Sequence, residues 1–136
     1  MTRGLLVARA AAALVGVPFR LHGRDPATGL DCIGLVALAL DAAGARVSVP
    51  DGYRLRNRDV GPLLRLPEVA GLRLARGASI PGDILLTAPG AWQHHLLIAA
   101  EQGGFIHAHA GLRRVVAAPV WPGGPVTGHW RLQEER

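Results

Sequence analysis

One cysteine and a set of histidines are the reactive side chains of this sequence. Cys32 is the only cysteine in the 136-residue chain. The histidines that follow it are His94, His95, His107, His109 and His129. A thiol acts as a nucleophile when an imidazole takes its proton. A third group, which can be another imidazole, an amide or a carboxylate, can hold that imidazole in the right tautomer. These residue types therefore allow acyl-transfer chemistry.

The surroundings of Cys32 predict that it lies at the start of a helix. A polar, glycine-bearing loop gives way there to the apolar run Ile33–Leu40, and Gly44 follows. This pattern predicts a buried helix from about 31 to 43 with Gly44 just past its end. In the first turn, the helix dipole and free backbone N–H groups favour a thiolate. The alternative is a structural cysteine, because free cysteines are often buried and pack as small hydrophobes.

The histidines lie on predicted strands. His94 and His95 alternate faces, so only one of them can point at the helix, whereas His107 and His109 share a face. Either His94 or His95 could serve as the base, and either His107 or His109 as the orienting residue. The alternation of faces does not decide which histidine of each strand has the role. Clustered histidines also suggest zinc, but no His-x3-His spacing on a predicted helix supports a metal site. We expect His129 to be structural.

The remaining patterns predict an α+β fold in one domain, 1–136. A first helix is expected at 3–15 and a polar loop at 20–30, while 46–77 is less periodic, with a short helix at 60–66 and an ambiguous segment at 72–75. Ile80–Asp83 predicts a type II turn, with proline and glycine at its centre. Strands are predicted at 83–88, 94–101, 105–110, 113–118 and 127–133. Helices followed by a meander of strands predict helices on one face of an antiparallel sheet.

Composition excludes several classes of function. Hydrophobic residues make up 49% and charged residues 18%, as in a folded domain. The net charge is +5, but the arginines are scattered and few aromatic residues lie among them, which disfavours nucleic-acid binding. No apolar run is long enough to span a membrane. The N-terminal segment fits an amphipathic helix better than a signal peptide, so we expect synthesis in the cytoplasm.

Four segments together resemble the NlpC/P60 family of papain-like cysteine peptidases. Gly29–Val36 is similar to the family's G-x-D-C-S-G-L-V motif, and Gly16–Phe19 to its G-x-P-Y segment. Pro81–Asp83 is similar to its P-G-D turn, and His95–Ala108 to its H-V-G-I-Y…F-I-H-A hairpin. His95 and His107 are 12 positions apart, the spacing typical of the family's two polar catalytic residues.

The resemblance implies a papain-like fold, with N-terminal helices on a five- to six-stranded antiparallel sheet, and a peptidase that cuts stem peptides of bacterial cell walls. It assigns Cys32 as nucleophile, His95 as base and His107 as the orienting residue, with no metal or organic cofactor. The residues expected to contact substrate are Phe19, His22, Arg24, Asp31, Ile33, Trp92 and His94. From the residues alone, the loop positions His22 and Arg24 fit a solvated loop equally well, and Trp92 fits a core or rim aromatic.

A narrower resemblance is to small NlpC/P60 peptidases encoded with the tails of phages and gene transfer agents, carried by 18–26 and 106–109. It implies a tail-tip or baseplate partner and action in the periplasm or cell wall. It also implies cleavage of the D-glutamyl–diaminopimelate bond.

The motif serine is Ile33 here and the motif tyrosine is Phe19, so polar substrate contacts are lost. Two alternatives follow: a tail component with a vestigial site, and a thiol acyltransferase or amidase on the same scaffold.

Overall fold

The computed structural model describes residues 1–45, 71–90, 93–119 and 124–134. Within these ranges the protein forms two helices and eight strands. In chain order they are α1 (Arg3–Ala13), β1 (Arg24–Asp25), β2 (Gly29–Leu30), α2 (Cys32–Ala42), β3 (Leu72–Leu74), β4 (Ile84–Gly90), β5 (Gln93–Ala99), β6 (Phe105–His109), β7 (Arg114–Ala118) and β8 (Val126–Leu132). Neither of these helices is long and apolar enough to cross a membrane.

Six of the described strands form one antiparallel sheet, in the order β3-β8-β4-β5-β6-β7. Strands β4 to β7 are a meander, and β8 returns to lie between β3 and β4. The predicted α+β fold, with N-terminal helices on a five- to six-stranded antiparallel sheet, is confirmed. Each predicted strand is found within two residues of its predicted bounds, and the ambiguous segment at 72–75 supplies β3.

The core lies between the two helices and one face of the sheet. Leu35, Val36 and Leu40 of α2 are fully buried and share one apolar cluster with Leu96 and Ile98 of β5. Burying a side chain of this size contributes roughly 1.5–3 kcal/mol. Because α2 is buried on nearly all sides, its sequence is a continuous apolar run rather than an amphipathic stripe.

Both ends of α2 are capped as its sequence predicts. Asp31 is the N-cap, and its carboxylate accepts from the Gly34 amide at 2.9 Å. At the other end Gly44 has φ +83°, and the Ala45 amide donates to the Leu40 carbonyl at 3.0 Å. This pattern is a Schellman motif, which needs a residue in the left-handed region after the helix.

Two local predictions were wrong. Helix α1 ends at Ala13 rather than 15, because the following segment pairs with β7: the Gly16 amide donates to the Val115 carbonyl at 2.9 Å. The loop at 20–30 is partly ordered as an antiparallel ribbon, β1 with β2, in which Arg24 is opposite Leu30. Tertiary pairing determines both outcomes, and local composition does not reveal it. The short helix predicted at 60–66 lies outside the described residues.

The predicted turn before β4 is confirmed. Gly82 has φ +88°, and the Asp83 amide donates to the Ile80 carbonyl at 3.0 Å. The buried Asp83 carboxylate receives Nε of Arg131 at 2.8 Å and lies 2.6 Å from Nε2 of His129. Burial by itself would raise the pKa of Asp83, but the hydrogen bonds from Arg131, the Ile80 amide and His129 outweigh it and lower that pKa. His129 therefore has the structural role expected of it.

Gly34 lets the loop before Cys32 pack closely against α2. A Cβ at this position would overlap the backbone carbonyl of Gly23. We expect Gly34→Ala to lower the free energy of unfolding by about 1–3 kcal/mol, because the loop must move. Urea denaturation followed by circular dichroism measures this change. Helix propensity alone would stabilise the variant by about 1 kcal/mol, so a gain in stability would contradict the close contact.

Candidate active site

Cys32 is the first residue of α2, and its side chain is completely buried. The thiol belongs to the apolar cluster between α2 and the sheet. Backbone groups of Leu96, of Cys32 itself and of Ile33 act to lower the pKa of the thiol. Leu96 directly follows His95 on β5, so the thiol lies against the strand that carries the predicted base.

The expectation of a lowered thiol pKa was wrong. Burial, with the nearby Asp31 carboxylate, raises the pKa of Cys32 to about 12. Backbone groups of Leu96 on β5 and of Cys32 and Ile33 at the helix N-terminus act in the opposite direction but are outweighed. In this structure Cys32 is therefore a neutral thiol.

His95 and His107 form a direct hydrogen-bonded pair. Nε2 of His95 lies 2.8 Å from Nδ1 of His107. The rings meet edge to face, with centroids 4.9 Å apart and planes at 84°. Adjacent antiparallel strands hold the two residues, because β5 pairs with β6 through Ile98 and Ile106. The structure thus joins the two histidines that the family resemblance selected and that strand periodicity alone did not.

Both imidazoles of the pair are held in the neutral form. Burial, with the charges of His107 and His109, lowers the pKa of His95 to about 4. Burial, with the charge of His109, lowers the pKa of His107 to about 4. A single proton then lies between Nε2 of His95 and Nδ1 of His107. When His95 is the donor, its own Nδ1 keeps a lone pair and can act as a base.

Asp31 anchors the loop to the first turn of α2. Besides capping Gly34, its carboxylate receives Nη1 of Arg24 at 3.2 Å and the His22 amide at 2.8 Å. The carboxylate is fully buried and the Arg24 side chain is 34% exposed. Asp31 therefore fixes the approach to Cys32, and its expected substrate contact stays a prediction.

The other residues expected to bind substrate occupy varied environments. Ile33 is 2% exposed and packs in the core, whereas Phe19 is half-buried against that core. His94 is half-buried, and His22 is exposed with φ 60°. Trp92 lies outside the described residues. Substrate contacts by these five residues stay predictions.

His109 adjoins the pair and had no predicted role. Its ring centroid is 5.6 Å from that of His107. The shared strand face of positions 107 and 109 was visible in the sequence, but the ring contact depends on the turn that follows β6. Among the described residues, no group of three or more His, Cys, Asp or Glu side chains is arranged to hold a metal ion.

No protein-family model matches this sequence. No curated protein matches it either. Solved structures, in contrast, match the fold over nearly the whole chain. NlpC2 from Trichomonas vaginalis is similar with a TM-score of 0.71 and 20% identity, over 99% of this chain and 48% of that one. The NlpC/p60 domain of the peptidoglycan hydrolase SagA is similar with a TM-score of 0.62 and 26% identity, over 90% of this chain and 95% of that one.

A third similar structure is the peptidoglycan hydrolase RipB from Mycobacterium tuberculosis, with a TM-score of 0.60 and 22% identity, over 98% of this chain and 66% of that one. The chain spans less than half the length of NlpC1 and NlpC2 from Trichomonas vaginalis. These likenesses confirm the papain-like NlpC/P60 fold that the sequence motifs implied.

Proposed function

We propose that this chain, which has the NlpC/P60 fold, is a cysteine peptidase that hydrolyses stem peptides of peptidoglycan. The observation that carries the proposal is the 2.8 Å contact between His95 and His107, with His95 on β5, the strand against which the Cys32 thiol packs. A thiol with an oriented imidazole is the minimal apparatus of acyl transfer. SagA and RipB, which have the same fold, are peptidoglycan hydrolases.

The tautomers define the proton path. The Nε2–H group of His95 donates a hydrogen bond to Nδ1 of His107. Nδ1 of His95 is therefore unprotonated, and it takes the proton of Cys32 as the sulfur attacks the peptide carbonyl. Backbone N–H groups at the start of α2 stabilise the oxyanion. His95 then returns the proton to the leaving amine, and the acyl group remains on sulfur as a thioester. Water, deprotonated by His95, hydrolyses the thioester and restores the thiol.

The resting thiol is neutral, and not the thiolate expected from its place at the helix start. Because the pKa of Cys32 is raised to about 12 and that of His95 lowered to about 4, the resting pair is a neutral thiol and a neutral imidazole. Proton transfer therefore accompanies the attack on the carbonyl. The thiol is fully buried, so substrate binding must also expose it.

The activity of this site is expected to be lost only at acid pH. Protonation of His95 removes the base, and protonation of His107 reverses the hydrogen bond and moves the proton of His95 to Nδ1. Both pKa values lie at about 4. We expect kcat/KM to be flat from roughly pH 6 to 8 and to fall about tenfold per pH unit below about 4.

A pH–rate profile on wall fragments measures this dependence. In the unfolded protein these histidines bind protons near pH 6.5, whereas in the folded protein they do so only near pH 4. The free energy of unfolding therefore also decreases as the pH is lowered from 6.5 to about 4. Circular dichroism at each pH separates unfolding from loss of catalysis. If kcat/KM of the folded protein already falls near pH 6.5 on the acid side of the profile, called here the acid limb, the imidazoles are not held neutral by burial.

The proposal extends to a bond and a setting. The bond is the one between D-glutamate and diaminopimelate, and the setting is a phage-like tail that opens the wall locally for DNA delivery. Support comes from the sequence resemblance at 18–26 and 106–109 to tail-encoded peptidases. On this view the chain is made in the cytoplasm, reaches the wall on the tail and contacts a tail-tip or baseplate protein. Detection of the chain in purified tail particles tests the setting.

The decisive experiment is digestion of purified diaminopimelate-containing wall fragments, with products identified by mass spectrometry. A peptidase of the proposed specificity adds one water per cut and leaves a free amine on diaminopimelate. An amidase instead releases the whole stem peptide from the glycan, and an acyltransferase joins two fragments. The Cys32→Ala protein is the blank. If the wild-type protein yields no product beyond those seen with Cys32→Ala, the proposal is overturned.

A second candidate is a tail component with a vestigial site. The observations that favour it are the complete burial of Cys32 and the replacement of the motif serine by Ile33. On this reading, particles that carry Cys32→Ala deliver DNA normally and wild-type protein cuts no wall fragment. Particles that assemble but fail to deliver DNA would instead favour the peptidase.

A further inference from the structure

A third imidazole lies directly beside the histidine pair. The ring of His109 is tilted 36° to that of His107, with 5.6 Å between centroids. Both residues lie on β6 and, two positions apart, point to the same face of the sheet. Across the ladder, His107 is opposite Val116 and His109 is opposite Arg114 on β7.

The turn after β6 fixes the ring of His109. The amide of Leu112 donates to Nδ1 of His109 at 3.1 Å. Gly111 gives the ring its room, since a Cβ there would lie 3.0 Å from Cε1 of His109. Because Nδ1 accepts this hydrogen bond, the proton of the neutral ring is on Nε2. The ring therefore has one orientation and one tautomer.

We propose that His109 is a positioning residue for the proposed peptidase reaction: anchored by the β6–β7 turn, its ring packs on His107 and holds Nδ1 of His107 toward Nε2 of His95. The inference rests on the proposed function for its catalytic consequence. His107 is 2% exposed, and it contacts both neighbouring rings, that of His95 edge to face and that of His109 at a tilt of 36°. Rotation of His107 would remove the acceptor that keeps the base of His95 at Nδ1.

Electrostatics are consistent with this placement. A positive charge on His109 lowers the pKa of both His95 and His107. Opposite His109 on β7 is Arg114, whose side chain is exposed. His109 is thus close enough to act on both members of the pair, although it contacts neither through a described hydrogen bond.

Two substitutions test the role of the ring. His109→Ala removes it, and we expect kcat on wall fragments to fall about tenfold with KM unchanged, because the pair loses its alignment. His109→Phe keeps a flat ring against His107 and should recover most of kcat. Leu112→Ala is the control, since Leu112 is 53% exposed and its backbone amide is retained. Unchanged kcat in His109→Ala, equal losses in the alanine and phenylalanine variants, or a change confined to KM would each overturn the proposal.

Imidazole nitrogen NMR gives a readout that needs no substrate. In the wild type we expect His107 to show an acceptor Nδ1 and a protonated Nε2, and in His109→Ala the signals should move toward a mixture of tautomers. Identical nitrogen shifts in both proteins would contradict positioning by His109. If the wild type cuts no wall fragment but the tautomers shift as expected, the peptidase proposal fails while the positioning of the pair stands.

Discussion

Replacing Cys32 with alanine is expected to abolish hydrolysis of wall fragments, with a loss of at least about 1,000-fold in kcat/KM. In the proposed mechanism the thiol is the group that forms the covalent acyl intermediate. Alanine removes a single sulfur from a fully buried position, so the fold should persist at a cost of about 1 kcal/mol. Product release from wall fragments, measured by mass spectrometry, checks the first part, and urea denaturation checks the second.

Val36→Ala supplies the matched control for this experiment. Val36 is also fully buried in α2, in the same apolar cluster as Cys32, but lies in the next turn of the helix. Its truncation creates a comparable cavity and keeps the thiol, so kcat/KM should stay near the wild-type value. Full activity of Cys32→Ala, or an equal loss in both variants, would mean that the thiol is not the nucleophile.

Local rules explain why much of the fold was predictable. The apolar run after Asp31 and the glycine at position 44 determine the length of α2, because one side chain caps its start and one left-handed residue ends it. The turn at Ile80–Asp83 follows from its proline and glycine, and the Asp83 carboxylate also accepts from the Ile80 amide. The family motifs then selected His95 and His107, and the 2.8 Å contact places them together.

The parts that could not be predicted depend on contacts that form only in the folded chain. The thiol pKa was expected to be lowered by the helix N-terminus, yet burial raises it, and burial depends on how β5 packs on α2. In the loop at 20–30, β1 pairs with β2, and Asp31 receives Arg24 and the His22 amide. The packing of His109 on His107 requires the turn at Gly111. None of these contacts leaves a local signature in the sequence.

Removing the imidazole of His107 is expected to be almost as damaging as removing the thiol, and the effect should depend on the replacement. His107→Leu keeps the buried volume but leaves Nε2–H of His95 without an acceptor, which costs about 1–3 kcal/mol in a buried site. His95 then favours the tautomer with its proton on Nδ1, where it cannot act as a base. We expect kcat to fall about 100- to 1,000-fold with little change in KM.

His107→Asn is the informative companion, because its Oδ1 is attached to Cγ as Nδ1 is in histidine and can accept the same proton from His95. We expect this variant to retain within about tenfold of the wild-type kcat, since the base keeps its tautomer. Its acid limb should also move. The charge of His107 contributes to lowering the pKa of His95 to about 4, so an uncharged residue at position 107 raises the pKa of His95 and shifts the limb to higher pH. Equal kcat values for the leucine and asparagine variants would show that position 107 supplies packing rather than a hydrogen-bond acceptor.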